Sequence, residues 1–201
     1  MKKRILLSLP FILLAVSLRA QVKKGDLLLG ATLGFNYNSQ NNNPSGSNTN
    51  ISPRLSLGIG HNSTLGLAAS FGYNTYKSAD GFDKNTGISF GSTLFWKKYY
   101  TIKNRFGWYT QLEGSFNTGK VKYKNSTTEF TNRNISYGGG LVPGFYYQVS
   151  PRLLLNADVG RISATRSILK NSNGDITSRT TNVNAQFLTF FTFGVDFRIG
   201  K

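Results

Sequence analysis

Residues 140–160, GLVPGFYYQVSPRLLLNADVG, hold the pattern that decides the fold. Leu141, Pro143, Phe145, Tyr147 and Val149 fall on alternate positions; past a short break, Leu153, Leu155, Ala157 and Val159 do the same. Between them stand Val142, Gly144, Tyr146 and Gln148, then Leu154, Asn156, Asp158 and Gly160. Period two puts successive side chains on opposite faces of a strand. The stretch is therefore a hairpin turning through VSPR, residues 149–152, with one greasy face that needs a cover. Pro143 lacks a ladder donor, which predicts a bulge there.

The same alternation runs along the chain. Leu27, Leu29, Ala31, Leu33, Phe35 and Tyr37 form a first strand; Ile51, Pro53, Leu55, Leu57 and Ile59 a second; Leu65, Leu67, Ala69, Phe71 and Tyr73 a third. Ile88, Phe90, Leu94 and Trp96 mark the fourth, and Phe106, Trp108, Leu112 and Phe116 the fifth. The opening hairpin supplies the sixth and seventh, and Phe187 to Ile199 the eighth. No sustained helical stripe follows residue 25. Each apolar run is close to the ~9–11 residues with which a tilted strand crosses a bilayer.

The connections fall at 38–50, 61–64, 77–86, 99–105, 119–134, 149–152 and 167–184, long and short in turn. The long ones are rich in Asn, Ser, Thr, Gly and Lys. An up-and-down barrel in an outer membrane has this asymmetry, with short periplasmic turns and long extracellular loops. The expected fold is thus all-β, an eight-stranded antiparallel up-and-down transmembrane barrel. Its apolar face would meet lipid, and its small or polar face, with Glu113, Asp158 and Asp196, would line the lumen. Aromatic residues near strand ends, Tyr37, Tyr73, Trp96, Tyr99, Tyr100, Phe106, Trp108, Tyr137 and Tyr147, form a candidate interfacial girdle.

Residues 1–20, MKKRILLSLPFILLAVSLRA, have a basic start, a short apolar middle and a small last residue, the grammar of a cleaved secretory signal. The barrel domain is then 21–201. The chain has no cysteine, which excludes a disulfide framework and a lipidated start. Removing Lys2, Lys3, Arg4 and Arg19, four charges, lowers the formal charge from +16 to +12. The remaining basic residues are scattered through polar connections, so no nucleic acid is expected as a partner; a basic surface near anionic lipid is.

Charges inside a narrow lumen are costly unless paired. Arg54, Glu113, Asp158, Asp196, Arg198 and Lys97 all fall on the predicted inner face. Counted from the short-turn rim, Arg54, Glu113 and Asp158 share a height, with Asp196 and Arg198 lower, near Lys97. This predicts an internal ion-pair network with Asp158 as a partner for Arg54, either a structural plug or a gate that admits ions.

The hairpin at 140–160 resembles the penultimate hairpin of the small outer-membrane β-barrel domain family of Gram-negative bacteria, outer membrane protein A/X-like and often labelled porin family. LFWKKYY (94–100) with RFGWYTQLEGSF (105–116) looks like that family's preceding hairpin. FGVDFRIGK (193–201) resembles its last strand, but ends in Ile199-Gly200-Lys201 instead of an aromatic. The resemblance implies a monomer in the outer membrane, in contact with its lipid and lipopolysaccharide, inserted by the barrel-assembly machinery with Phe197 as the residue recognised.

Groups able to move protons or attack are scarce. His61, the one histidine, sits in the first short turn, away from the outer leaflet where a lipid-modifying barrel enzyme would need it. Asp80 and Asp83 lack the spacing and closing Glu of a calcium loop. No cofactor, metal or catalytic residue is expected. Three functions stay open: a non-enzymatic anchor for basic polar surface loops that supports envelope integrity or surface contact, a small pore, and a lipid-modifying enzyme.

Overall fold

Period-two alternation becomes eight strands: β1 Leu27–Asn38, β2 Ser45–Gly60, β3 Ser63–Lys77, β4 Lys84–Lys103, β5 Phe106–Lys124, β6 Glu129–Ser150, β7 Leu153–Lys170 and β8 Ile176–Ile199. The computed structural model describes residues 22–38, 45–77, 84–103, 105–124 and 129–199. The predicted signal segment, Asp80, Asp83 and the carboxy-terminal Gly200 and Lys201 lie outside those residues. Each strand pairs antiparallel with the next, and β1 pairs with β8 from Leu27↔Ile199 to Leu33↔Phe193, which closes the barrel. Closure removes every free sheet edge along the paired height.

The two faces differ in chemistry as the alternation requires. Leu33, Leu67, Leu94 and Leu112 point outward and are 55–62% exposed. Phe71, Phe116, Phe145, Leu155 and Phe193 continue this apolar belt around the wall. Facing inward near the short turns, Leu28, Tyr99, Tyr109, Tyr146 and Leu154 are buried together with Val22.

The short turns, at 61–62, at Arg105 and at 151–152, are tied to neighbouring strands. Tyr99 N donates to Asn62 O (2.8 Å), Gln148 N to Arg105 O (2.7 Å) and Arg198 N to Arg152 O (2.7 Å). At the other end the strands run on into segments expected to be loops. The expected connection 167–184 shrinks to 171–175, because β7 and β8 stay paired up to Lys170↔Ile176. Asn171 makes that tight turn: its Oδ1 accepts from Asn173 N (3.0 Å) and Asp175 N (2.9 Å). The expected loop 119–134 is likewise mostly paired β5 and β6, from Gly119↔Asn134 to Lys124↔Glu129. Above the apolar belt neither face is greasy, so Ser, Thr and Asn in a strand look like a loop.

The predicted irregularity at Pro143 falls beside it. Pro143 pairs regularly with Thr110 on β5, whereas towards β7 the register shifts between Leu141 and Gly144. Residues 142–143 of β6 there face residues 159–161 of β7, so the extra residue belongs to β7. On β8, the stretch 188–191 faces the single residue Val159.

Candidate functional site in the lumen

The inner face is organised around one rung. Gly30 of β1 lies opposite Arg54 on β2 and opposite Asp196 on β8. Arg54 Nε donates to Asp196 Oδ1 at 2.6 Å, reaching across the strand between them. A Cβ on residue 30 would fall on Asp196 Oδ1 and 3.1 Å from Arg54 Nε, so only glycine leaves the pair room. The two side chains are 8% and 4% exposed, and Asn156 Nδ2 donates to Asp196 Oδ2 (2.8 Å). Asp196 is therefore at the height of Arg54, not below it. Counting residues from the turns ignored the stagger that closing a barrel imposes on its strands.

Asp158 does not pair with Arg54. It accepts a hydrogen bond from the Tyr109 hydroxyl. Tyr109 is fully buried and packs over Gly144, where a Cβ would collide with its ring and hydroxyl. Lys97 is 1% exposed, yet makes no ion pair among the described residues. Its ammonium lies 4.2 Å from the centroid of the Tyr109 ring and 5.8 Å from that of Tyr99. A cation over aromatic faces is attracted by the ring quadrupole. Tyr99 thus leaves the predicted girdle: it is 4% exposed and belongs to the lumen core, edge-on to Tyr146. Aromatic identity does not distinguish a lumen tyrosine from an interfacial one; the parity of β4 does.

Arg198 sits at the floor, 3.4 Å from Asp26. Asp26 ends a segment that crosses the short-turn mouth. Gly25 N donates to Gly58 O (2.8 Å), Gly58 N to Asp26 O (2.7 Å) and Asn62 N to Val22 O (2.9 Å). Lys23 N donates to Asp26 Oδ2 (2.8 Å), and Val22 is buried against the tyrosines. Residues 22–26 carry no alternation, which is why sequence reading assigns them no element.

Above the Arg54 rung the lumen opens into a cavity of about 190 Å³, lined among others by Asn50, Ser52, Gln111, Glu113, Asp158 and Arg161. Glu113 pairs here with Arg161 (Nη2 to Oε1, 3.0 Å) and accepts from Gln111 Nε2 (2.8 Å). Arg161 was missed from sequence. The extra residue on β7 reverses its parity, so Ile162 faces out and Arg161 in. The signal was present in VGRIS, where a glycine precedes a charge in a strand.

Of the other girdle candidates, Tyr73, Trp96, Tyr100, Phe106, Trp108, Tyr137 and Tyr147 are exposed on the outer wall. Tyr100 stacks on Trp108 (4.1 Å between centroids), and Phe106 stacks on Phe145 (5.7 Å), both near the short turns. Tyr37 is the last residue but one of β1, and its side chain lies outside the described residues. Phe197 faces outward on β8, opposite Leu29 and Leu153. His61 lies in the β2–β3 turn, its carbonyl accepting from Lys98 Nζ (2.9 Å). Among the described residues no three His, Cys, Asp or Glu side chains gather as metal ligands do.

No protein-family model matches the chain, and no curated protein matches it in sequence. Solved structures with a similar outline include OprG, an outer membrane protein of Pseudomonas aeruginosa, at 14% identity over 92% of this chain and 100% of that one, with a TM-score of 0.49. A major outer membrane protein of Thermus thermophilus matches at 13% identity over 87% and 99%, with a TM-score of 0.47. Neisserial surface protein A matches at 16% identity over 87% and 96%, with a TM-score of 0.39. The chain is an eight-stranded antiparallel barrel. Its own geometry, a closed wall with an apolar exterior and a charged interior, carries the functional reading.

Proposed function

We propose that this chain is an integral outer-membrane β-barrel that acts without catalysis, as a rigid anchor holding basic, polar hairpins at the cell surface. Its contribution there is to envelope integrity or to surface contact. The observation that carries this reading is the unbroken outward apolar belt around a closed ring of strands. In water such a belt would be a large exposed hydrophobic surface; in a bilayer it is the ordinary exterior. The short turns and the 22–26 segment then face the periplasm, and the extended hairpins face outward. Export through a cleaved signal at 1–20, insertion by the barrel-assembly machinery through β8 and Phe197, life as a monomer, and contact with outer-membrane lipid and lipopolysaccharide belong to the same proposal.

The lumen favours an anchor over a pore. Tyr99, Tyr109, Tyr146, Leu28 and Leu154 fill its lower half, and Val22 packs beneath them. The Arg54–Asp196 and Glu113–Arg161 pairs act in this reading as structural plugs that fix strand register.

Two measurements test it. Leu67→Arg places a charge on the lipid side of β3, and should destabilise the barrel in phosphatidylcholine vesicles by roughly 2–4 kcal/mol. No loss would remove the bilayer from the picture. Planar-bilayer recording should be silent; steady conductance that rises in Glu113→Ala would replace the anchor with a gated pore.

A further inference from the structure

A second concave surface lies on the outside of the wall, on the opposite face from the lumen. It is a groove of about 380 Å³ across β3 to β6, floored by Tyr73, Ile88 and Phe90 and rimmed by Lys120, Lys122 and Arg133. The register explains how these residues meet. Tyr73 pairs with Ile88, Ile88 with Lys120, and Lys120 with Arg133, so one rung runs from apolar to basic across four strands. The rung below carries Phe71 and Phe90, edge to face at 5.7 Å. The rung above carries Thr75, Thr86, Lys122 and Thr131. The groove therefore sits where the outer wall changes from lipid-like to water-like.

Its charge is uncompensated within its own lining, which contains no Asp or Glu. Lys120 and Arg133 are direct cross-strand neighbours, a like-charge pairing that destabilises a sheet unless an anion comes between them. Arg133 is steadied by donating from Nε to Thr118 Oγ1 (3.4 Å), and a guanidinium has further N–H donors to offer.

We infer that this groove is a binding site for a lipid with a phosphate monoester headgroup. The phosphate would lie among Lys120, Lys122 and Arg133, and an acyl chain would run down over Ile88 and Phe90. A phosphate monoester suits three cations better than a carboxylate does, because it brings up to two charges and three acceptor oxygens. The apolar floor, continuous with the belt, selects a lipid over a soluble phosphate. The inference rests on the barrel spanning a bilayer.

The test uses the full folded barrel in phosphatidylcholine nanodiscs doped with phosphatidic acid, followed by native mass spectrometry of the lipid retained on release. Folding of each variant is verified by its heat-modifiable gel shift. The protein should keep phosphatidic acid in preference to phosphatidylcholine. Lys120→Gln/Lys122→Gln/Arg133→Gln should lower that retention by on the order of a hundredfold, since each basic residue near an anionic headgroup contributes roughly fivefold. Ile88→Ser should weaken it less, and Arg166→Gln/Arg179→Gln, outside the groove, should leave it intact. Equal retention by the triple variant would overturn the site, as would an equal loss in the control pair. Displacement of the lipid by inorganic phosphate alone would overturn the choice of a lipid. A barrel that enters nanodiscs without preference sinks only this inference, whereas one that never enters them sinks the membrane reading as well.

Discussion

Towards the short turns the lumen is a protein core: Tyr99, Tyr109, Tyr146, Leu28 and Leu154 interlock, and the charges among them are held at close range by buried partners. Towards the hairpin end Asn50, Ser52, Thr93, Gln111 and Thr192 line a cavity, and the charged pair there is open to it on one side. Both halves are built by the same strands with the same period. What differs is the size of the residue on each inner position, and with it the dielectric around each charge. A buried ion pair loses the solvation of both partners and depends on its geometry; an exposed one is screened and contributes little. The lumen of one small barrel contains both cases.

The comparison is tested hardest at Asp196. Asp196→Ala leaves Arg54 buried without its carboxylate and strands the Asn156 amide. The expected loss is about 3–5 kcal/mol, measured as a shift of the guanidinium unfolding midpoint in phosphatidylcholine vesicles. Arg54→Met/Asp196→Leu should recover most of it, because two apolar side chains leave no orphaned charge. If the double variant is as unstable as the single, the pair does more than neutralise itself.

Tyr109→Phe is gentler. The ring still fills the core and still faces Lys97, while Asp158 loses the hydroxyl that donates to it. Asp158 lines the upper cavity and is only part-buried, so the lost hydrogen bond should cost roughly 1–1.5 kcal/mol, read in the same unfolding titration. A negligible effect would mean that water in the upper cavity replaces the hydroxyl completely and that Asp158 belongs to the open half.

Much of this architecture was legible in the sequence, for physical reasons that also mark where legibility ends. Leu65 to Tyr73 or Phe187 to Ile199 show period two because one face meets lipid and the other does not. Where both faces are polar, as in Thr177 to Asn182 of β8, that contrast is gone and a paired hairpin is indistinguishable from a loop. Tyr99 and Tyr100 show the opposite difficulty: both are aromatic, and only the parity of β4 sends one inward and the other out. Arg161 was hidden because one extra residue on β7 reverses parity locally, an event with no compositional cost. The partner of Arg54 depended on strand stagger, which no single strand encodes. The 22–26 segment was invisible because it is held by backbone hydrogen bonds to Gly58 and Asn62, and these ask almost nothing of side-chain identity.

The smallest expected effect is at Glu113, and it separates the two halves most sharply. Its carboxylate is 8% exposed and Arg161 is 45% exposed, so the pair has one foot in the cavity. Arg161 freed by Glu113→Ala can remain solvated, unlike Arg54 freed by Asp196→Ala. The loss should stay below about 1 kcal/mol and shrink as salt is raised. Both charges lie on the inner faces of neighbouring parts of one wall, so the chemistry of the pair is not what distinguishes them. A Glu113→Ala loss as large as that of Asp196→Ala, and insensitive to salt, would mean that the upper lumen excludes solvent as completely as the lower, and the distinction between a core and a cavity would fail.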